Sequence, residues 1–306
     1  MNDYIICAQN IRNGAFGSEP GTTSYLKVPE LDDVFRPSHA IKQKEFLLDV
    51  INEKQENIIV FVHGYNNSVT DVLGRHRQLK KGFQKVGYTG DFITFAWPSG
   101  TNSLLYLEDR HDAKVTALEL VNSCIKLLAR QQGKDCTINI HLIGHSTGAY
   151  VINEAFADAD TTKDTAEINW TVSQILLISG DVSSDSMSES RGVSVYRHCN
   201  RLTNYYNPYD SILAISNVKR VGAKNRVGRV GLPEDGPTKA VDINCGPYYD
   251  AQKDKINVTN GAHSHSWYFY SDTWYKDAYE TIKGDLDRNV IPTRILEDGE
   301  LKLKSI

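Results

Sequence analysis

The stretch Ile138-Asn139-Ile140-His141-Leu142-Ile143, then Gly144-His145-Ser146-Thr147-Gly148, then Ala149-Tyr150-Val151-Ile152-Asn153-Glu154-Ala155-Phe156 decides how this chain is read. The first part is an apolar β-type run. The last part is compatible with a helix. Between them stands Gly-x-Ser-x-Gly, the pattern of a strand that turns sharply into a helix and lifts a serine hydroxyl above the sheet edge. The glycines suit it because side chains there would clash with the neighbouring strand and helix. Chance places only about 0.1 such patterns in a chain of this glycine content, and the strand-then-helix context lowers that further. The alternative is a structural glycine-rich turn with no chemistry.

Working outward, short β-branched runs alternate with helical patterns. Strands are expected at Asp3–Ala8, Asn57–Val62, Asp91–Ala96, Thr137–Ile143, Gln174–Ser179, Arg201–Tyr206 and Ala240–Asn244. Runs such as Ile58-Ile59-Val60-Phe61-Val62 are apolar on both faces, as in a parallel sheet covered on both sides. Helices are expected at His39–Glu53, Thr70–Val86, Lys114–Gln132 and Asp272–Lys283. Alternating β and α elements predict a three-layer α/β fold with a mostly parallel central sheet flanked by helices. No internal repeat or low-complexity linker interrupts the pattern, so residues 1–306 are expected to form one domain. The stretches 183–199 and 220–237, rich in Ser/Asp and Gly/Arg, are loops by composition and could build a cap beside a substrate site.

Composition narrows the function. The chain has 306 residues, 40% apolar and 24% charged, with a net charge of −4. That balance argues against nucleic acid or an anionic membrane as the main partner. No window approaches the ~18 apolar residues of a membrane helix, and the N-terminus lacks the features of a secretory signal. The five cysteines show no CxxC and no regular spacing. Reduced thiols and a cytoplasmic location are therefore expected. Nothing in the sequence indicates the oligomeric state.

A serine hydroxyl needs a base, and the base needs a carboxylate to orient it. In folds with this elbow the order is Ser, then Asp/Glu, then His. Asp210 follows the strand ending at Tyr206, within Tyr205-Tyr206-Asn207-Pro208-Tyr209-Asp210, and Asp181 follows Ile175–Gly180. Asp210 comes one strand later, the commoner place for the acid. It competes with a plainer role as the N-cap of a helix opening at Ser211. His198 precedes the Asp210 strand and breaks the order. His263 and His265, in Gly261-Ala262-His263-Ser264-His265-Ser266-Trp267-Tyr268, both satisfy it. A His-x-His pair could also bind metal, but no carboxylate or cysteine cluster accompanies it.

An oxyanion would need two N–H donors. Thr147 follows the nucleophile and supplies one. Tyr65, in His63-Gly64-Tyr65-Asn66-Asn67 after the most apolar strand, supplies the other. Trp97, Tyr206 and Trp267 lead a set of aromatics expected to line a substrate pocket, with Tyr65, Tyr106, Tyr150, Tyr205, Tyr209 and Tyr268 behind them. The basic run Arg75–Lys81 reads as a solvated helix face. Lys219, Arg220, Lys224, Arg226 and Arg229 would favour an anionic substrate if they bordered the cleft.

Five segments in order give the chain a family likeness: Phe61–Asn66, Phe95-Ala96-Trp97-Pro98-Ser99, Ile140–Gly148, Tyr206–Leu213 and His265-Ser266-Trp267-Tyr268. The chain resembles the α/β-hydrolase superfamily and, more narrowly, the bacterial group DUF900. The Trp-Pro-Ser segment beside His-Gly-Tyr-Asn carries the narrower likeness. The resemblance implies Ser146 as nucleophile, Asp210 as acid and His265, rather than His263, as base. The expectation is a carboxylic-ester hydrolase working through an acyl-enzyme on a small-molecule ester, without metal or cofactor. Amidase, thioesterase or acyltransferase chemistry would use the same residues. A catalytically silent binding protein would keep only the fold.

Overall fold

The computed structural model describes residues 2–51, 57–99, 106–130, 138–162, 170–218 and 225–305, and the side chains of all but 106–111 and 216–218 among them. The strands are β1 (Asn2–Arg12), β2 (Ala15–Pro29), β3 (Ala40–Ile41), β4 (Asn57–Val62), β5 (Asp91–Ala96), β6 (Asn139–His145), β7 (Val172–Ile178), β8 (Cys199–Tyr206), β9 (Ala240–Asn244), β10 (Arg294–Glu297) and β11 (Glu300–Leu303). The helices are α1 (Gln43–Val50), α2 (Val69–Lys85), α3 (Tyr106–Glu119), α4 (Lys126–Ala129), α5 (Thr147–Thr161), α6 (Val193–Arg197), α7 (Ser211–Val218), α8 (Val227–Val230), α9 (Gly246–Gln252), α10 (His263–Ser266) and α11 (Asp272–Lys283).

Among the described residues the strands form one 11-stranded sheet in the order β10-β11-β9-β8-β7-β6-β4-β5-β1-β2-β3. The run from β1 through β5, β4, β6, β7 and β8 to β9 is parallel throughout. The expected three-layer α/β architecture is therefore present. Antiparallel hairpins flank it: β1–β2 with β3 at one edge, β10–β11 at the other.

The period of two in a strand sends alternate side chains to opposite faces. In β4, Ile58, Val60 and Val62 join one apolar cluster, while Ile59 and Phe61 join the other. Helices α1, α3 and α5 and a π-helical turn at Leu120–Ile125 cover the first face. Helices α2 and α11 cover the second through Leu79, Phe83, Trp274, Tyr275 and Ile282. Each such fully buried side chain contributes roughly 1.5–3 kcal/mol.

Both covering helices have defined ends. Ser68 and Asp71 form a capping box at the start of α2. Ser271 Oγ accepts the Trp274 N–H at the start of α11, and left-handed Gly284 closes its end.

The stretches expected as loops are partly structured. Residues 193–197 form α6, whose Val195 and Tyr196 pack into the first core. Residues 227–230 form α8, which lies under the ends of β7 and β8, with Gly228 N–H donating to Gly180 O and Asn204 Nδ2 to Val227 O. Lys219, Arg220 and Lys224 lie outside the described residues. Cys7, Cys124, Cys199 and Cys245 are buried free thiols, and Cys136 is outside the described residues. Among the described residues no helix is long and apolar enough to cross a membrane.

Candidate active site

Ser146 stands at the hinge between β6 and α5. Its backbone takes φ 54°, ψ −123°, a conformation that costs energy for any residue with a Cβ. Neighbours hold it there: Ser146 N–H donates to Ile178 O at 3.1 Å, and Ser146 O accepts from Asp181 N–H at 2.9 Å. The two glycines of the motif are explained by close approach. A Cβ on Gly148 would collide with the Val62 carbonyl of β4, and one on Gly144 would meet Ile152 Cδ1 at 2.7 Å in α5. Helix α5 can therefore start directly against the sheet. Its first N–H groups, Thr147 among them, have no intrahelical acceptor. Thr147 lies in the wall of the cavity that holds Ser146.

The His63–Asn67 loop leaves the end of β4 beside the elbow. A Cβ on Gly64 would sit 2.9 Å from Ser146 Cβ and 3.2 Å from His145 O. Gly64 is thus required by contact with the Ser146 side chain. The turn itself falls at Asn66, with φ 57°. Asn67 Nδ2 donates to the Gly64 and Tyr65 carbonyls, each at 2.8 Å, and holds the loop from inside. Burial pulls the His63 imidazole down to about 4, so it is neutral at pH 7, and its Nδ1 bonds Gly64 O at 2.8 Å. It braces the loop.

Asp210 and His265 meet. Asp210 Oδ2 lies 2.8 Å from His265 Nδ1, with the carboxylate wholly buried and the imidazole nearly so. Asp210 Oδ1 accepts the N–H groups of Ile212 and Leu213 at 3.0 Å each, capping α7. The two roles that compete in the sequence, cap and partner of a histidine, are filled by different oxygens of one carboxylate. Asn207 Nδ2 donates to Ser264 O at 2.9 Å, and Ser211 Oγ lies 2.9 Å from Ser264 Oγ. These bonds tie the acid's loop to the histidine's helix. His265 and Ser146 share the walls of a cavity of about 590 Å³, which Tyr65, Thr147 and Asp181 also line.

The alternatives fall elsewhere. His263 has both ring nitrogens engaged, Nδ1 with Tyr249 Oη at 3.0 Å and Nε2 with Ile256 O at 2.9 Å. Asp181 borders the cavity, but its carboxylate faces buried Arg226, with Oδ1 and Nε 3.0 Å apart. Arg226 is therefore committed to Asp181 rather than offered to a substrate. Among the described residues no group of three His, Cys, Asp or Glu is placed to hold a metal ion.

Three expected pocket residues need correction. Trp97 is fully buried, stacks on His63 and donates its indole N–H to His63 O at 2.8 Å. It supports the loop from below. Tyr206 is buried and directs its hydroxyl towards Glu300 near the β11 edge. Trp267 is fully buried, stacked on Tyr268 with ring centres 4.1 Å apart. None of the three lines the cavity, because aromatic bulk on a strand end or short helix is claimed by the core first. Of the wider aromatic set only Tyr65 borders it, and the Tyr106 side chain lies outside the described ones.

Sequence reasoning missed other wall residues. Ile212, Leu213 and Ile215 of α7 supply apolar lining, and Asn260, Gly261 and Ala262 the facing edge. Arg75, expected on a solvated face, is in the wall as well. The signal was positional: Asp71 and Arg75 are one helical turn apart, on the same side of α2. His145 was missed too. Its Nε2 lies 3.2 Å from His265 O and its ring packs on both His265 and Phe269. Burial drives its imidazole well below the usual histidine range, so it is neutral and serves as a hydrogen-bonding brace.

A mostly parallel sheet covered on both faces, with the serine on a strand-to-helix elbow, is the α/β-hydrolase arrangement. The chain belongs to the DUF900 family, alpha/beta hydrolases of unknown function, whose model matches residues 38–248. That match includes Ser146 and Asp210 and ends before His265. Solved structures similar to this chain include a lipase-esterase related protein from Clostridium acetobutylicum ATCC 824, at 13% identity, 78% of this chain, 97% of that chain and a TM-score of 0.41. Another is Trichoderma reesei cutinase in complex with a C11Y4 phosphonate inhibitor, at 12% identity, 74% of each chain and a TM-score of 0.31. No curated protein matches the chain in sequence.

Proposed function

We propose that the protein is a serine hydrolase that cleaves carboxylic esters of small molecules through an acyl-enzyme. The observation that carries this reading is the 2.8 Å bond between Asp210 Oδ2 and His265 Nδ1, in a cavity shared with an elbow serine. With its Nδ1–H donated to Asp210, the neutral imidazole presents the Nε2 lone pair. Nε2 takes the proton of Ser146 Oγ as that oxygen attacks the ester carbonyl. The Tyr65 and Thr147 N–H groups receive the oxyanion. The C–O bond to the leaving alcohol breaks as His265 Nε2–H returns the proton to it. Water, deprotonated by the same nitrogen, then releases the acid and restores Ser146. No step in this scheme calls for a metal or cofactor.

A fluorophosphonate probe and a 4-nitrophenyl ester test the reading together. Covalent labelling and ester turnover are expected in the wild type, and both should vanish in Ser146→Ala. Absence of labelling in the wild type, or labelling that survives the substitution, would sink it.

A further inference from the structure

The cavity that holds Ser146 and His265 contains a cation whose position is fixed by neutral hydrogen-bond partners, with no ion pair closed on it among the described residues. Arg75 has its guanidinium carbon 3.8 Å above the centre of the Phe269 ring. Its Nη1 donates to Gln78 Oε1 at 2.7 Å, and its Nη2 to Asn260 O at 3.4 Å. An amide oxygen and a backbone carbonyl set the plane of the fork without neutralising it. The contrast on the same helix is direct: Arg77 and Lys80 close ion pairs to Asp3 at 2.7 and 2.9 Å. Arg75 closes none among the described residues.

Two carboxylates stand in the wall, and neither closes an ion pair with Arg75: Asp71, one turn before it on α2, acts on it only through space. Asp71 Oδ2 accepts from Ser68 N–H at 3.0 Å and from Ser68 Oγ–H at 2.6 Å. Asp181 faces Arg226. The nearby imidazoles of His63 and His145 are neutral because they are buried. Burial also pulls Arg75 below its usual value, which reflects the cost of holding this charge away from water. An anionic group entering the cavity would recover that cost. A guanidinium with one face against an aromatic ring meets such a group edge-on, the geometry of a bidentate carboxylate pair.

We propose that Arg75 is a specificity-determining residue that binds a carboxylate on the substrate, so that the ester cleaved at Ser146 is an acid half-ester. The proposal rests on the ester-hydrolase reading above, and a binding measurement separates the two. In the Ser146→Ala protein, calorimetry compares a succinate half-ester with a neutral ester of similar size and with a choline ester. The half-ester is expected to bind about tenfold tighter than the others, a ratio equivalent to about 1.4 kcal/mol. Adding Arg75→Gln should erase the difference, and Arg75→Lys should keep part of it, since charge remains while the planar fork is lost.

In turnover, Arg75→Gln should lower the half-ester to neutral-ester ratio of kcat/KM about tenfold, mainly through KM. Equal binding of the three esters, or a preference that survives Arg75→Gln, overturns the assignment. So does an equal loss on both esters, which would make Arg75 only a clamp between α2 and Phe269. If the wild type cleaves neither ester, the hydrolase reading falls while the calorimetry still decides Arg75.

Discussion

Asp210 splits its carboxylate between His265 and α7: Oδ2 lies 2.8 Å from His265 Nδ1, and Oδ1 holds the N–H groups of Ile212 and Leu213. The bond that orients the imidazole is therefore anchored to a helix start. Asp210→Asn should keep much of the cap yet spoil the histidine's tautomer, lowering kcat by about 10⁴ with a small loss of stability. Asp210→Ala should add a cap loss of about 1 kcal/mol. Steady-state kinetics beside thermal melting separates the two effects.

Asp181→Asn should behave in the opposite way. It strands buried Arg226, whose Nε is 3.0 Å from the Asp181 carboxylate. A stability loss of about 3–5 kcal/mol is expected, with kcat of the folded fraction little changed. Denaturant unfolding read with active-site titration checks this. A collapse of kcat in Asp181→Asn with Asp210→Asn unaffected would move the acid's role to Asp181.

Gly64→Ala tests the contact between loop and elbow. The new methyl would lie 2.9 Å from Ser146 Cβ, so the loop and Ser146 must separate. A drop in kcat of about 10²-fold is expected, since small misplacements near the reacting atoms cost that much. The melting temperature should move far less than in Gly148→Ala, where the methyl meets the β4 backbone.

Asp91 makes stability depend on pH. Burial raises its carboxyl from 3.8 to about 7, opposed weakly by Lys80. The folded state then binds this proton more tightly than the unfolded chain. Its contribution is fully present below about pH 4 and is lost as pH rises to about 7. Asp91→Asn should raise the melting temperature at pH 8 and leave it nearly unchanged at pH 4. Equal effects at both pH values would disprove the linkage.

The C-terminal hairpin depends on a buried ion pair. Arg294 Nη2 lies 2.6 Å from Asp277 Oδ1, both side chains fully buried, and joins β10 to α11. Arg294→Met should cost about 3–5 kcal/mol, and Asp277→Asn in the same protein should recover part of that. A double-mutant cycle by urea unfolding measures the coupling.

What was legible in the sequence was local. The elbow, β4, β5, β9 and α11 each carry a short apolar run or an apolar period closed by glycine, serine or a turn, and each lies within a residue or two of its expected place. Of the edge hairpins only β1 carries such a pattern, at Asp3–Ala8. β2 runs through Gly17, Pro20, Gly21, Thr22 and Thr23, and β1 pairs with it through irregular registers. The hairpin signals were nonetheless present. Asn13-Gly14 and Asp298-Gly299 have positive φ at both positions, as a two-residue turn of the primed type requires.

At the site, Ser146, Asp210 and His265 were legible as candidates because their order along the chain follows the topology, and the structure brings Asp210 against His265 in a cavity that Ser146 shares. The pocket wall was not, because it is made by contacts between distant segments. The Asn260–Arg75 bond spans 185 positions. Trp97 and Trp267 misled for a related reason: proximity in sequence to a site does not say which way a large ring turns.

The separation of Ser146 from His265 also has a consequence in time. Ser146, its elbow and the loop around Gly64 lie in the first half of the sequence, and His265 comes 119 residues after Ser146. Phe269, just beyond it, packs on both Phe61 and His145, so the helix bearing His265 seats against strands made much earlier. A ribosome-bound chain that stops before His265 would carry a serine with no base. Under the proposed mechanism turnover waits until the segment from His265 to Phe269 has been made and has seated against those strands.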